Sequence, residues 1–265
     1  MLTLILALAV GLLTAYASGA ALGNMAWGGL LGATGFILVQ IAAGLIIRRQ
    51  VGKVNRRIQL AMQDVQSRLQ RKVAQMQQRP GMSPKALQAA LEKDQTAAVH
   101  QALEMTGELE KYRWWSPLLG KQINTMRMMF HYQVREFDKV DALADKSFYL
   151  EPTACAMRLA RMYRKNDPRL DRFARKKLKS ARGDAGALLY ALYSWILVRR
   201  DNIPEAIKVL AASRKRCDHE ALRANWERLV NNKVKNFSNA ALGEMWYMLY
   251  LEEPKIKTQR VRQQY

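Results

Sequence analysis

The first 47 residues contain no Lys, Arg, Asp, Glu or His, whereas all 43 basic and 22 acidic residues of the chain follow them. Within this segment, residues 2–22 and 27–47 are uncharged runs of about 20 residues, the length that a helix needs to cross a hydrocarbon core of roughly 30 Å. Backbone polar groups in lipid must find their partners within the protein. The segment therefore predicts a transmembrane helical hairpin over 1–47, with its turn at 23–26.

Small residues are frequent in both predicted spans and allow two helix backbones to approach closely. Gly28-x-x-x-Gly32 matches the small-x-x-x-small pattern of packed membrane helices. We predict that Gly28, Gly32 and Gly35 pack the two helices of the hairpin together. A cleaved signal peptide is the alternative for the first run, because Ala15-Tyr16-Ala17 resembles a cleavage site. That run lacks the positive segment that such a peptide carries at its start.

Basic residues follow the second run directly, and the positive-inside bias places this flank in the cytoplasm. Two spans then return the N-terminus to the same side. The charged part of the chain carries a net charge of +21, which attracts it to phospholipid head groups, nucleic acid or an acidic protein. We assign contact with anionic lipid to the first five cations, Arg48, Arg49, Lys53, Arg56 and Arg57.

Residues 48–79 are predicted to form one basic amphipathic helix, since good helix formers continue until Arg79-Pro80-Gly81. Three interpretations of this stalk stay open: it pairs with another chain, lies on the membrane, or packs on its own domain. The apolar positions recur every three or four residues at Val51, Val54, Ile58, Met62, Val65, Leu69, Val73 and Met76. Beyond Pro80, one helix is predicted from Pro84 and a second from about Thr96 to Trp114.

A pattern of about 33 residues repeats in the second half of the chain. Phe137, Leu170, Ile203 and Phe237 follow polar segments at intervals of 33, 33 and 34 residues. Val140, Phe173, Ala206 and Ala240 keep the same intervals three residues later. A polar turn followed by two apolar residues one helical turn apart is typical of a helix-turn-helix unit. We predict that these eight residues form the core of the repeats.

The repeating segments resemble the tetratricopeptide repeat family. The match is best at 200–207 (Arg-Asp-Asn-Ile-Pro-Glu-Ala-Ile), with Ala206 as the small residue, while Glu151-Pro152 resembles the proline that closes a unit. The turn glycine and the Trp-x-x-Leu-Gly-x-x-Tyr opening are absent. The resemblance implies antiparallel helix pairs whose stacked first helices bind other chains. It implies a candidate partner face at Thr125, Met129, Tyr132 and Trp195, for which burial in the core is the alternative.

These patterns together predict an all-α protein. The predicted parts are a hairpin at 1–47, a stalk at 48–79, a tetratricopeptide-like repeat domain at 80–254 and a basic tail at 255–265. A helical bundle without repeats remains the alternative. At the level of layout only, the chain resembles HemY-like and lipopolysaccharide-assembly-type membrane-anchored repeat proteins of bacteria. That likeness implies a multi-pass protein of the bacterial cytoplasmic (inner) membrane, with its soluble domain facing the cytoplasm.

Catalytic and metal-binding motifs are absent from the sequence, which has no HExxH, P-loop, dinucleotide fingerprint or Gly-x-Ser-x-Gly. We therefore predict no enzyme activity, no cofactor and no metal. The one cluster of ligand-type residues is Cys217-Asp218-His219-Glu220, and there we expect Asp218 to cap a helix. Cys155 and Cys217 lack CxxC spacing, which suits a reducing compartment.

Three functions fit these features. The first is a membrane-anchored scaffold or adaptor that binds partner proteins. A membrane-tethered RNA-binding protein is the second, because basic clusters occur at 169–182, at 214–216 and in the tail. The third is a membrane enzyme whose site falls outside known motifs. The expected partners are thus anionic lipid and unidentified proteins, with nucleic acid as the alternative.

Overall fold

A computed structural model describes residues 2–77, 84–116 and 118–254, and throughout these ranges all regular structure is helical. The all-α prediction is confirmed. The predicted tail at 255–265 and the stalk end at Arg79-Pro80-Gly81 lie outside the described residues. The α-helices are α1 (Leu2–Leu22), α2 (Met25–Gln77), α3 (Pro84–Gly107), α4 (Leu119–Gln133), α5 (Phe137–Ala144), α6 (Pro152–Arg164), α7 (Leu170–Leu178), α8 (Gly183–Arg199), α9 (Ile203–Ser213), α10 (Glu220–Val230) and α11 (Glu244–Tyr247).

The chain divides between Phe148 and Tyr149 into two compact units. The first unit holds α1 to α5, and the second holds α6 to α11. Short 3₁₀ helices at Glu110–Tyr112, Val234–Asn236 and Ala240–Leu242 connect some of the α-helices. The boundary between the units falls inside the range that the sequence assigns to repeats.

The first unit begins with a hairpin of α1 and α2. Gly23 turns the chain with a positive φ of 59°, which glycine adopts without steric cost. Asn24 then caps α2, since its side-chain oxygen accepts the Ala26 N–H at 3.0 Å. The helix begins at Met25, so the turn is two residues shorter than predicted. No proline interrupts α2, and the predicted span and stalk form one unbroken helix of 53 residues.

The part of α2 that follows the hairpin packs on its own unit. Val54 and Ile58 are buried with Ala102 of α3 and with Leu119 and Ile123 of α4. Val51 and Met62 pack against the same cluster. Burial of a Val or Ile side chain contributes roughly 1.5–3 kcal/mol, far more than an exposed ion pair. Of the three interpretations of the stalk, the structure favours packing on its own domain. The side chains of Val73 and Met76 lie outside the described set.

One helix, α3, occupies 84–107, where the sequence predicts two. Thr96 does not start a new helix, because its hydroxyl donates to the Glu92 carbonyl at 2.7 Å within α3. Two ion pairs contact α2 from this region: Lys72 pairs with Asp94 of α3, and Arg57 contacts both carboxylate oxygens of Glu108, the residue after α3, at 3.1 and 2.5 Å. These pairs are largely exposed, so the apolar contacts carry most of the stability.

Four helices end in the same glycine-free turn. The second residue after each helix has a left-handed backbone: Arg135 (φ 60°), Asn166 (51°), Asp201 (58°) and Asn232 (55°). The next amide donates to a carbonyl five residues earlier, as in Asn202 N–H to Leu197 O at 2.9 Å. This is the Schellman motif, in which glycine usually occupies the left-handed position. The motif reverses the chain after α4, α6, α8 and α10, and α5, α7 and α9 follow the first three of these turns.

The repeat-core residues occupy different environments. Val140, Leu170 and Ala206 are fully buried, while Phe137, Phe173, Ile203 and Phe237 are partly buried. Ala240 is exposed, so its prediction as a core residue is wrong. The backbone there forms 3₁₀ turns instead of an α-helix, and the adjacent Asn239 faces inward. The Asn239 side chain donates to Ala191 O at 3.1 Å and accepts from Asn225 at 2.9 Å.

Candidate functional site

The surface of the hairpin is the first candidate for a functional site. Both α1 and the first part of α2 are long and apolar enough to cross a membrane, and only 17% and 6% of their most apolar windows are buried. A helix in the core of a soluble protein would be mostly buried. Large side chains such as Ile5, Leu13 and Leu38 are instead 66–69% exposed. The chain thus presents a continuous apolar surface suited to lipid.

The two helices of the hairpin meet through small residues. A Cβ atom on Gly28 would lie 2.7 Å from the Ala15 carbonyl oxygen, and one on Gly32 would lie 2.6 Å from the Gly11 carbonyl oxygen. At Gly35 the nearest atom would be Thr14 Oγ1, at 2.9 Å. All three predicted packing glycines therefore lie at the contact between the helices, Gly28 and Gly32 against backbone atoms and Gly35 against a side chain.

On the other side of that contact, the sequence analysis included Gly19 among the small residues of the first run but missed Gly11 and Ala15. Gly11, Ala15 and Gly19 of α1 face the glycines of α2. They are spaced by four residues, which is the same small-x-x-x-small pattern repeated once. That spacing would have predicted the contact from the sequence, in which Ala15 was considered only as part of a possible cleavage site.

The predicted lipid-contact cations lie on the first turns of α2 beyond the apolar segment. Arg48, Arg49, Lys53, Arg56 and Arg57 are all exposed. Arg57 is paired with Glu108, so this cation also joins α2 to the segment that follows α3. Exposed cations directly after an apolar surface of this length match the charge distribution at the cytoplasmic side of membrane helices.

The candidate partner face is largely wrong, because most of its residues are used inside the protein. Tyr132 is 1% exposed and packs edge-on against Phe137, with ring centroids 5.5 Å apart. Trp195 is 6% exposed. The Thr125 hydroxyl donates to Phe148 O at 3.0 Å and accepts the Phe148 N–H at 2.8 Å. Met129 is partly exposed.

A carboxylate in the second unit holds two tryptophans together. The indole N–H groups of Trp195 and Trp246 donate to Glu252 at 2.8 and 2.9 Å, and Arg199 adds a contact at 3.2 Å. Burial alone would raise the pKa of Glu252, but the hydrogen bonds from Trp246, Trp195 and Arg199 outweigh it, and the pKa is lowered. This arrangement fastens the segment after α11 to α8, and no sequence motif predicts it.

The Cys217-Asp218-His219-Glu220 cluster is structural. His219, not Asp218, caps α10, since its Nδ1 accepts the Ala221 N–H at 3.1 Å, while Asp218 pairs with Arg223 at 3.4 Å. Cys217 is buried, and this burial raises the pKa of its thiol. Among the described residues, no group of three or more His, Cys, Asp or Glu side chains is arranged to hold a metal ion.

The basic cluster at 169–182 lies mostly on α7. Arg172, Lys176 and Lys179 are exposed, and the first two lie one helical turn apart. Arg175 instead pairs with Glu205 at 3.1 Å.

Asp167 accepts three hydrogen bonds from Arg169, at 2.8 to 3.1 Å. The side-chain bond from Arg169 is the main cause that lowers the pKa of Asp167 to about 2.

Comparison of the chain with protein-family models, curated proteins and solved structures finds no match in any of the three.

Proposed function

We propose that this chain is a membrane-anchored helical scaffold that binds partner proteins at the cytoplasmic face of a bacterial membrane. In this proposal α1 and the first part of α2 cross the cytoplasmic membrane as a hairpin. The rest of the chain forms a tetratricopeptide-like body that presents helix pairs to its partners.

The observation that carries the proposal is the continuity of α2. One unbroken helix begins with exposed apolar residues and ends with residues buried among α3 and α4. A helix of this kind joins an apolar surface suited to lipid to a water-facing domain without a flexible joint. The cations at its midpoint favour the cytoplasmic side for the body.

The repeat character is supported by the helix pairs and their turns. In the second unit, α6 packs on α7 and α8, α8 packs on α9, and α9 packs on α10. Packing between successive first helices, as between α6 and α8, is what stacks repeats into an extended surface. Surfaces of this type bind segments of other chains, and no catalytic constellation is needed for that role.

Alkaline carbonate extraction of membranes from expressing cells tests the anchor. The full chain should stay in the pellet and appear in the soluble fraction only after detergent is added. Recovery in the soluble fraction without detergent would overturn the proposal.

Photo-crosslinking tests the scaffold. A photoreactive amino acid at Met129, on α4, should trap a distinct protein in cells, and the matched control carries the same group at Lys139, an exposed position on α5. Identical product patterns at the two positions would rule out a partner surface on α4.

A second candidate function, RNA binding, is favoured by the exposed cations Arg172 and Lys176 of α7 and Lys179 directly after it. Binding through phosphates would weaken steeply as salt rises. Titration of labelled RNA with the detergent-solubilised chain at two salt concentrations measures this, and Lys176→Glu should reduce the affinity. The absence of binding at low salt would exclude this function.

A further inference from the structure

Two adjacent tryptophans form an exposed apolar patch in the first unit. Trp114 is 68% exposed, Trp115 is 40% exposed, and the neighbouring Leu118 is 46% exposed. We call these three residues the tryptophan patch. Large aromatic residues clustered on a surface in this way mark a site of interaction.

The tryptophan patch is attached to the start of the hairpin. The Leu2 N–H donates to the Trp114 carbonyl at 3.0 Å, and the Thr3 hydroxyl donates to the Trp115 carbonyl at 2.6 Å. The first N–H groups of a helix have no partner within the helix, and here the patch supplies an acceptor. Thr3 is only 7% exposed, so this junction is itself covered.

The position of Thr3 along the hairpin fixes the level of the patch. The Gln40 side chain donates to the Thr3 carbonyl at 3.4 Å, which aligns the start of α1 with Gln40 on α2. From Thr3 to Leu22 the helix rises about 29 Å at ~1.5 Å per residue. That length matches a hydrocarbon core of roughly 30 Å. When the turn at Gly23 lies at one face of the core, Thr3 and the patch lie at the other.

Cations lie beyond this level on α2 and beside the tryptophan patch in sequence. Arg48 follows Gln40 by eight residues, about 12 Å further along α2. Lys111 and Arg113, which flank the tryptophans in sequence, are exposed, as is Lys121 near Leu118. Cations beside tryptophan at the edge of an apolar span are the pattern found at the interface between lipid tails and head groups.

We propose that the tryptophan patch is a second membrane contact, which docks the body of the first unit on the interface of the bilayer that its own hairpin spans. Trp suits this location because its ring is apolar and its indole N–H is polar. The docked patch fixes the first unit against the membrane and limits tilting about the end of the hairpin. The inference depends on the proposed membrane anchor.

Electron paramagnetic resonance tests the contact. The full chain, with Cys155→Ala and Cys217→Ala, is placed one copy per nanodisc of phosphatidylethanolamine and phosphatidylglycerol. A spin label is attached at Leu118→Cys, which keeps both tryptophans. Accessibility to oxygen, which concentrates in lipid, and to a water-soluble nickel chelate is then measured. Because each nanodisc holds one purified chain, protection cannot come from another protein or a second copy.

Two matched labels separate the outcomes. The label at Leu13→Cys, 69% exposed on α1, reports whether the hairpin is in the hydrocarbon core. The label at Ala142→Cys, exposed on α5, reports the aqueous surface. We expect the label at 118 to lose most of its accessibility to the chelate compared with the label at 142. Chelate accessibility equal to that at 142, with Leu13→Cys protected, would overturn the patch contact and leave the anchor intact. Exposure of the label at 13 would overturn both.

A pair of variants tests the tryptophans themselves. In the Leu118→Cys background, Trp114→Ala with Trp115→Ala should increase chelate accessibility at 118, whereas Trp114→Tyr with Trp115→Tyr should retain protection because Tyr also favours the interface. Circular dichroism confirms that each variant keeps its helices. Unchanged protection in the folded Ala pair would show that the tryptophans do not hold the contact.

Discussion

The hairpin helix α1 and the helix α8 of the second unit are both strongly apolar, yet they bury opposite kinds of residue. In α1 the buried residues are small: Thr3, Ala7, Gly11 and Gly19. Its leucines face outward. In α8 every residue from Gly186 to Leu197 is buried, including Leu192 and Tyr193 at 0% exposure.

Apolar composition alone therefore does not identify the environment of a helix. The hairpin uses small residues to bring two backbones together and leaves its large side chains exposed, which is the pattern expected of helices that face lipid. The second unit must keep large side chains away from water, so it surrounds α8 with α6, α7, α9 and α10. Removal of a large side chain should therefore damage α8 and spare α1.

The largest effect is expected for Leu192→Ala in α8. Deletion of a fully buried leucine side chain costs about 2–5 kcal/mol, because both burial and packing are lost. The matched variant is Leu13→Ala, at a position that is 69% exposed on α1. Urea unfolding of the full chain in detergent micelles, followed by tryptophan fluorescence, measures the change. Equal effects of the two substitutions would contradict the contrast between the helices.

The opposite substitution, from small to larger, should damage the hairpin. A Cβ on Gly32 would lie 2.6 Å from the Gly11 carbonyl oxygen, whereas one on Gly29 would meet nothing within 4 Å. Gly32→Ala should thus cost about 1–3 kcal/mol of helix association, as overpacking does, and Gly29→Ala should cost much less.

Energy transfer between fluorophores at Leu13→Cys and Leu38→Cys during SDS titration in mixed micelles measures this association. Loss of transfer at the same SDS fraction in both glycine variants would show that close packing at Gly32 does not hold the hairpin.

The two apolar helices could be predicted from the sequence because each is an uncharged run of about 20 residues and the second is followed directly by cations. The glycine contact followed from small-residue spacing at Gly28 and Gly32. The sequence predicts a boundary at residue 48 between the hairpin and the stalk, but it does not show whether one helix continues across it. A helix can continue through a change of solvent because its backbone hydrogen bonds are local. The structure supplied that continuity.

The turns between the helix pairs could be predicted from the sequence only in part. Asn166, Asp201 and Asn232 adopt the left-handed backbone that Asn and Asp tolerate, so these turns carried a usable signal. Arg135 carried none, and its turn is held by the helices on either side. The partner face failed because apolar periodicity does not distinguish a binding surface from a core position, as Tyr132 and Trp195 demonstrate.

A smaller effect is expected from Glu252→Gln, which affects only α8 and its neighbours. Glutamine keeps one acceptor oxygen but turns an N–H group toward one indole N–H, so one of the two tryptophan bonds is lost. The cost should be roughly 1.5 kcal/mol, the low end for hydrogen bonds to charged groups. Glu253→Gln, at an exposed neighbour, is the control. Urea unfolding of the two variants should differ; identical midpoints would show that the carboxylate does not fasten Trp195 and Trp246.

The smallest expected effect is that of acid, which should lower the stability of the second unit and leave the packing of the hairpin unchanged. Asp167 has its pKa lowered from 3.8 to about 2, mainly by the hydrogen bond from Arg169. Its charged form is favoured by folding, so this stability is present above pH 4 and is lost as the pH falls from about 4 to 2. A shift of this size corresponds to at most ~2.5 kcal/mol, and the exposure of Arg169 reduces the expected loss to about 1 kcal/mol.

The hairpin contains no Asp, Glu or His, so its packing should not respond to the same acid range. The variant Asp167→Asn keeps an acceptor for the Arg169 amide but removes the charge. It should be less stable than the wild type at pH 7 and should flatten the pH dependence of second-unit unfolding between pH 4 and 2. Energy transfer within the hairpin, measured on the same samples, should stay constant. A hairpin that separates over this range would show that its stability depends on the titrating body, because residues 1–47 supply no acidic group of their own.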